Sequence, residues 1–183
     1  MGNPDVNSTA PGSSWRTPLI VIAAGCLIAL VGFGARSAYG LLLEPMTSAR
    51  GWGRETFAFA LAIQNLVWGF GVPFASMLAD RYGPSRVLAA GAIVYGIGTA
   101  GMATTTTGIG LTLVGGVLTG LGIALTSFSI ALAAMAKVVE PGRQSLVLGI
   151  GTSAGSLGQV IFSPLSQLVI AEYGWDSALF FLA

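Results

Sequence analysis

VLAAGAIVYGIGTAGMATTTTGIGLTLVGGVLTGLGIALTSFSIALAAMA, residues 87–136, is fifty consecutive residues without one charged side chain. An apolar run of about 20 residues suffices to cross a bilayer, so this stretch has length for two crossings and a turn. The turn is Thr104-Thr105-Thr106-Thr107-Gly108, too short for anything but a hairpin of helices. It divides the stretch into predicted spans over 87–103 and 109–135.

The same pattern continues on both sides. Upstream, a span over 18–43 is apolar except for Arg36 and is expected to close at Glu44-Pro45, and a second over 56–78 carries Gln64, Asn65 and Trp68. Downstream, a span over 146–171 contains Pro164, and a sixth begins after Gly174-Trp175-Asp176 and covers only 177–183. Seven helical residues rise about 10 Å, a third of the hydrocarbon core, so the sixth helix is expected to be truncated. The whole chain has eight Lys or Arg and seven Asp or Glu in 183 residues, where a soluble domain is about one quarter charged. The expected fold class is an all-α integral membrane protein, with residues 18–183 forming one transmembrane helical bundle in contact with lipid.

Residues 1–17, polar and rich in Pro, Gly and Ser, read as a disordered cytoplasmic tail. They make a poor signal peptide, because the apolar segment that follows is far longer than a signal core. A net charge of +1 offers no electrostatic footprint for nucleic acid. With no His and a single Cys, Cys26, the chain has no means for haem–histidine ligation, a zinc cluster or an intrachain disulfide. No cofactor or metal is expected, and no nucleophile–base pair points to an enzyme.

Basic residues set the expected orientation. Arg16, Arg81, Arg86, Lys137 and Arg143 fall on one side of the spans, and Arg50 and Arg54 on the other. The first side is expected to be cytoplasmic, with the N-terminus inside. Within the spans, Gly116 and Gly120 form one GxxxG pair and Gly151 and Gly155 another, with Gly158 a turn further on. Such spacing lets helix backbones approach closely, and it also suits surfaces that rock against each other.

A few polar groups inside the spans require satisfaction. Arg36 is the one charge well inside a span, where arginine costs about 2.5–3.5 kcal/mol on insertion scales. Either it snorkels to the interface or it binds an anion, since no carboxylate lies inside the five spans to pair with it. By helix rise, Gln64 lies at a similar depth, with Asn65 beside it and Trp68 one turn deeper on the face of Gln64. Thr126 and Gln159 add polar groups in the fourth and fifth spans. Interhelical hydrogen bonding and a cavity lining are both open for these residues. Asp80 sits at the C-terminal end of the second helix, where the macrodipole disfavours an acid. It calls for compensation from Arg81, Arg86 or the N-terminus of another helix.

The segment Ser76-Met77-Leu78-Ala79-Asp80-Arg81-Tyr82-Gly83-Pro84-Ser85-Arg86 resembles the loop between helices two and three of the major facilitator superfamily, G-x-L-a-D-R-x-G-r-r/k. Asp80, Arg81, Gly83 and Arg86 match; Ser76 replaces the leading glycine and Pro84-Ser85 a basic pair. Gly32 to Gly40, Gln64 to Gly69, Ala154 to Gln159 with Pro164, and Tyr173-Gly174-Trp175 resemble bacterial monocarboxylate and oxalate/formate carriers, although Asp176 stands where that group has arginine. The resemblance implies the N-terminal six-helix half of a twelve-helix carrier in a bacterial inner membrane, the C-terminal half being the missing partner. It also implies that the loop from Asp80 to Arg86 gates conformational change. The acid, arginine and GPxxGG motif of drug–proton antiporters are lacking. The expected function is secondary transport of a small organic anion such as a monocarboxylate, by alternating access. Arg36, Gln64, Asn65, Trp68, Thr126 and Gln159 are the candidate contacts. The alternative is a truncated or accessory membrane protein that only packs against partner helices.

Overall fold

In the computed structural model, which describes residues 18–183, Pro18 opens a helix whose first residue needs no N–H partner. The predicted tail, with Arg16, lies outside the described residues. Helix α1 (Pro18–Ser37) is followed after one turn residue, Ala38, by α2 (Tyr39–Arg50). The predicted stop at Glu44-Pro45 is corrected: Pro45 sits inside α2, and the helix runs on to Arg50. The stop is Gly51, whose φ of 66° is the left-handed conformation that closes a helix, with the N–H groups of Gly51 and Trp52 on the carbonyl of Thr47. Proline is tolerated within a membrane helix when its surroundings satisfy the backbone that it frees.

α3 (Arg54–Tyr82) and α4 (Pro84–Thr104) follow, each extending four residues or fewer beyond either end of the predicted spans. The fourth segment, Gly108–Ala136, is interrupted twice. It comprises α5 (Gly108–Leu111), a π-helix over Thr112–Leu118, α6 (Thr119–Leu125) and α7 (Phe128–Ala136). The break between α6 and α7 is at Thr126–Ser127, where Ser127 is extended with ψ 132°. A single 3-10 turn, Pro141–Arg143, leads into α8 (Gln144–Leu182), which is broken at Gly174 with φ 87°. The predicted change of span at Gly174 and the observed break coincide. Among the described residues there is no strand, and five helical segments are long and apolar enough to cross a membrane.

Small residues decide how these segments pack. α1 lies against α8, where the carbonyl of Gly158 faces Gly34 and a Cβ on Gly158 would meet the backbone of Leu30. α3 lies against the π-helix and α6: Gly116 faces the carbonyl of Ala60, and Gly120 that of Gln64. Gly155 packs on the Phe33 ring and Gly151 on Leu132 and Met135. All five predicted packing glycines are therefore at helix contacts. A main cluster of buried side chains gathers at the Arg50 end, with Tyr39, Leu42, Met46, Phe57, Met102, Leu111 and Leu179. A smaller one, Ala75, Ala79, Val87 and Ile130, lies at the other end.

Candidate functional site

Arg36 occupies the last turn of α1, two residues before the break at Ala38. The break is satisfied locally and across to α8: the Ser37 hydroxyl donates to Gly34 O at 2.7 Å and meets the Ser163 hydroxyl at 3.2 Å. One residue further, the deeply buried Tyr39 donates its hydroxyl to the Tyr95 hydroxyl at 2.9 Å and lies 2.8 Å from Thr99 Oγ1. These contacts hold the backbone on either side of Arg36 against α8 and α4. Residues of such a network are legible in a sequence only as hydroxyls within apolar helices, a weak signal.

The Arg36 side chain reaches α3. Its Nη2 donates to Asn65 Oδ1, and its guanidinium carbon stands 3.9 Å from the ring centroid of Trp68. Cation–π contacts of this kind are worth about 0.5–2 kcal/mol, more when desolvated. Asn65 is itself fixed, because Nδ2 donates at 2.8 Å to Leu61 O one turn back. Among the described residues, no carboxylate pairs with Arg36 within 4.0 Å. The guanidinium is half-buried, not sealed: Asn65 is exposed, and Trp68 and Arg36 partly so.

Gln64 departs from the expected arrangement. It is 2% exposed and faces the bundle interior, with Nε2 donating at 2.9 Å to Gly115 O. Of the two openings left for it, interhelical hydrogen bonding is the observed one. The acceptor lies within the π-helix, where i→i+5 bonding alters the backbone ladder; the Thr119 hydroxyl donates five residues back to Val114 O. The face shared with Arg36 is that of Asn65 and Trp68, so the placing of Trp68 on the face of Gln64 is corrected. Thr126 marks the break before α7, its hydroxyl donating to Gly122 O at 2.8 Å. Gln159 is exposed on α8, beside Gly158. The structure thus unites Arg36, Asn65 and Trp68, and leaves Gln64, Thr126 and Gln159 outside that group.

At the opposite end of the bundle, Asp80 is compensated by a residue the sequence reading did not nominate. Lys137 Nζ lies 3.6 Å from Asp80 Oδ1. Arg81 instead approaches the ring of Tyr82, at 5.4 Å, and Arg86 is exposed. Gly83, with φ 91°, makes the turn between α3 and α4. The Asp80–Lys137 pair, largely exposed on both sides, sets the α3–α4 turn beside the α7–α8 connection at one end of the bundle. Arg50 does the corresponding work at the other end, donating to Ala103 O at 2.9 Å with Trp175 at 5.2 Å.

The sequence profile of the Major Facilitator Superfamily matches residues 25–183. The chain belongs to the Major Facilitator Superfamily. It is a multi-pass membrane protein of transporter type, a family of transporters rather than enzymes. Among curated proteins, none matches it. Membership in the facilitator family places the Asp80–Arg86 segment, the break at Ala38 and the Arg36 cluster within the matched region.

Proposed function

We propose that this facilitator chain is the N-terminal half of a secondary carrier for a small organic anion, a monocarboxylate above all. The observation that carries this reading is the setting of Arg36. Its charge is held in the last turn of α1, inside a segment long and apolar enough to span a membrane, by an amide and an aromatic ring, neither of which neutralises it. A guanidinium presents donors in a planar fork that fits a carboxylate bidentately, so a ligand carboxylate supplies the missing charge. Alternating access then exposes the site to either side, as a second six-helix bundle rocks against this one. The basic residues favour the Asp80 end as cytoplasmic, and the resemblance to bacterial carriers favours a bacterial inner membrane.

The test is binding to the purified chain in lipid nanodiscs, with Trp15, Trp52 and Trp175 replaced by Phe so that Trp68 is the one indole reporter. Acetate and lactate are titrated at neutral pH. We expect a saturable fluorescence change that Arg36→Lys weakens severalfold. Arg36→Gln should remove about 2–5 kcal/mol of binding, or at least about thirtyfold in affinity. An Arg36→Gln chain that binds both anions as the parent does, or a parent that binds neither, overturns the reading; an arginine that merely snorkels predicts no difference.

A further inference from the structure

We propose that Asn65 sets the charge preference of the Arg36 site, acting as a positioning residue that keeps the guanidinium in place while leaving its positive charge unspent. This rests on the reading of Arg36 as an anion site. Both ends of the Asn65 side chain are committed. Nδ2 donates to Leu61 O on its own helix, and Oδ1 accepts from Arg36 Nη2. The first bond dictates the second, because reversing the amide would aim its NH2 at a guanidinium, which has donors only. Trp68, three residues along the same helix, then covers the guanidinium at 3.9 Å. Asn65 and Trp68 together take one edge and one face of the group, and neither carries charge.

In this role Asn65 acts through Arg36, and not as the direct substrate contact for which the sequence made it a candidate. An aspartate differs from it by one atom at the end of the side chain; it loses the donor to Leu61 O, and because position 65 is exposed its second oxygen can turn to solvent while the first stays on Arg36. At position 65 an aspartate would keep the contact to Arg36, strengthen it as a charge-assisted pair, and cancel the cation that an anionic ligand needs. The acids among the described residues are Glu44, Glu55, Asp80, Glu140, Glu172 and Asp176, and none of them pairs with Arg36. The neutral amide is what separates a site for anions from an internal ion pair with no charge to offer.

A charge-setting role and a structural role rank the variants in opposite orders. Binding of lactate to the chain in nanodiscs and thermal stability are measured for Asn65→Asp and Asn65→Ala beside the parent. We expect Asn65→Asp to melt at or above the parent temperature yet bind lactate at least about tenfold more weakly. Asn65→Ala should melt lower yet lose only two- to fourfold in affinity, because Arg36 keeps its charge but loses one restraint. If Asn65 were merely structural, alanine would be the more harmful change in both measurements. Asn65→Asp binding within threefold of the parent, or Asn65→Ala binding more weakly than Asn65→Asp, overturns the proposal. Either result alongside lost binding in Arg36→Gln leaves the anion reading standing and removes only the role of Asn65. Parent-like binding by Arg36→Gln instead removes the anion reading itself.

Discussion

Replacing Gly158 by alanine should separate the two helices that pack most intimately, α1 and α8. A Cβ at this position would lie 2.7 Å from the Leu30 carbonyl carbon and 2.9 Å from its Cα, with the carbonyl oxygen nearer still. Ordinary contact starts at 3.4 Å, so all three Leu30 atoms lie too close and the backbones must part, the carbonyl oxygen demanding the most. None of these atoms belongs to a flexible side chain that could rotate away, and the carbonyl of Gly158 also abuts Gly34, one turn further along the same helix as Leu30. Overpacking of this kind costs about 1–3 kcal/mol, and a backbone-to-backbone clash belongs at the upper end. Alanine returns up to about 1 kcal/mol through its better helix propensity. The net loss is about 2 kcal/mol, which at about 2–4 °C per kcal/mol for a chain of this size lowers the melting temperature by about 4–8 °C. Gly149→Ala is the control, since a Cβ there meets nothing within 4 Å; it should melt at or slightly above the parent. Cys26, the one cysteine of the chain, lies half-buried on α1, so the rate of its modification by a thiol-reactive dye on heating reports the parting of α1. If Gly158→Ala and Gly149→Ala melt within about 1 °C of each other, the small-residue account of this interface is wrong.

Gln64→Leu should lower stability by about 0.6–2 kcal/mol, because it removes the side-chain donor to Gly115 O inside the bundle. The same dye assay checks this, and an unchanged melting curve would mean that the bond contributes nothing. In a Cys26→Ala background, a membrane-impermeant maleimide added to intact cells should modify Ser48→Cys, at the Arg50 end, but not Ser85→Cys, at the Asp80 end; the reverse pattern inverts the orientation.

The helices were legible because lipid imposes a length and an exclusion of charge, and the span limits around residues 87–103 and 109–135 follow from those two constraints alone. Their interruptions, apart from the one at Gly174, were not. The break at Ala38 and the π-helix over Thr112–Leu118 contain no proline. Side chains satisfy the backbone there, the Ser37 hydroxyl at Gly34 O, itself met by Ser163 of α8, and Gln64 of α3 at Gly115 O. Local sequence carries little trace of a tertiary hydrogen bond. Pro45 illustrates the converse, a strong local stop signal overruled because the glycine six residues later closes the helix more cheaply.

Arg36 stood out in the sequence through its cost, but its partner required the rotation of α3, and a helix apolar on most sides reveals little of its facing. The glycine pair, legible in the sequence, and its partner carbonyls, seen in the structure, together fix that rotation. Gly116 and Gly120 form a groove that accepts the closest backbone of α3, and the carbonyls that they receive are those of Ala60 and Gln64. Seating that stripe against the fourth segment turns Gln64 inward onto Gly115. One residue on a helix is a rotation of about 100°, so Asn65 is carried out of the groove toward α1 and Arg36. Trp68, three residues later, follows Asn65 rather than Gln64. The glycine pair thus does more than let two helices approach: by choosing which face of α3 is buried, it chooses which amide meets the arginine.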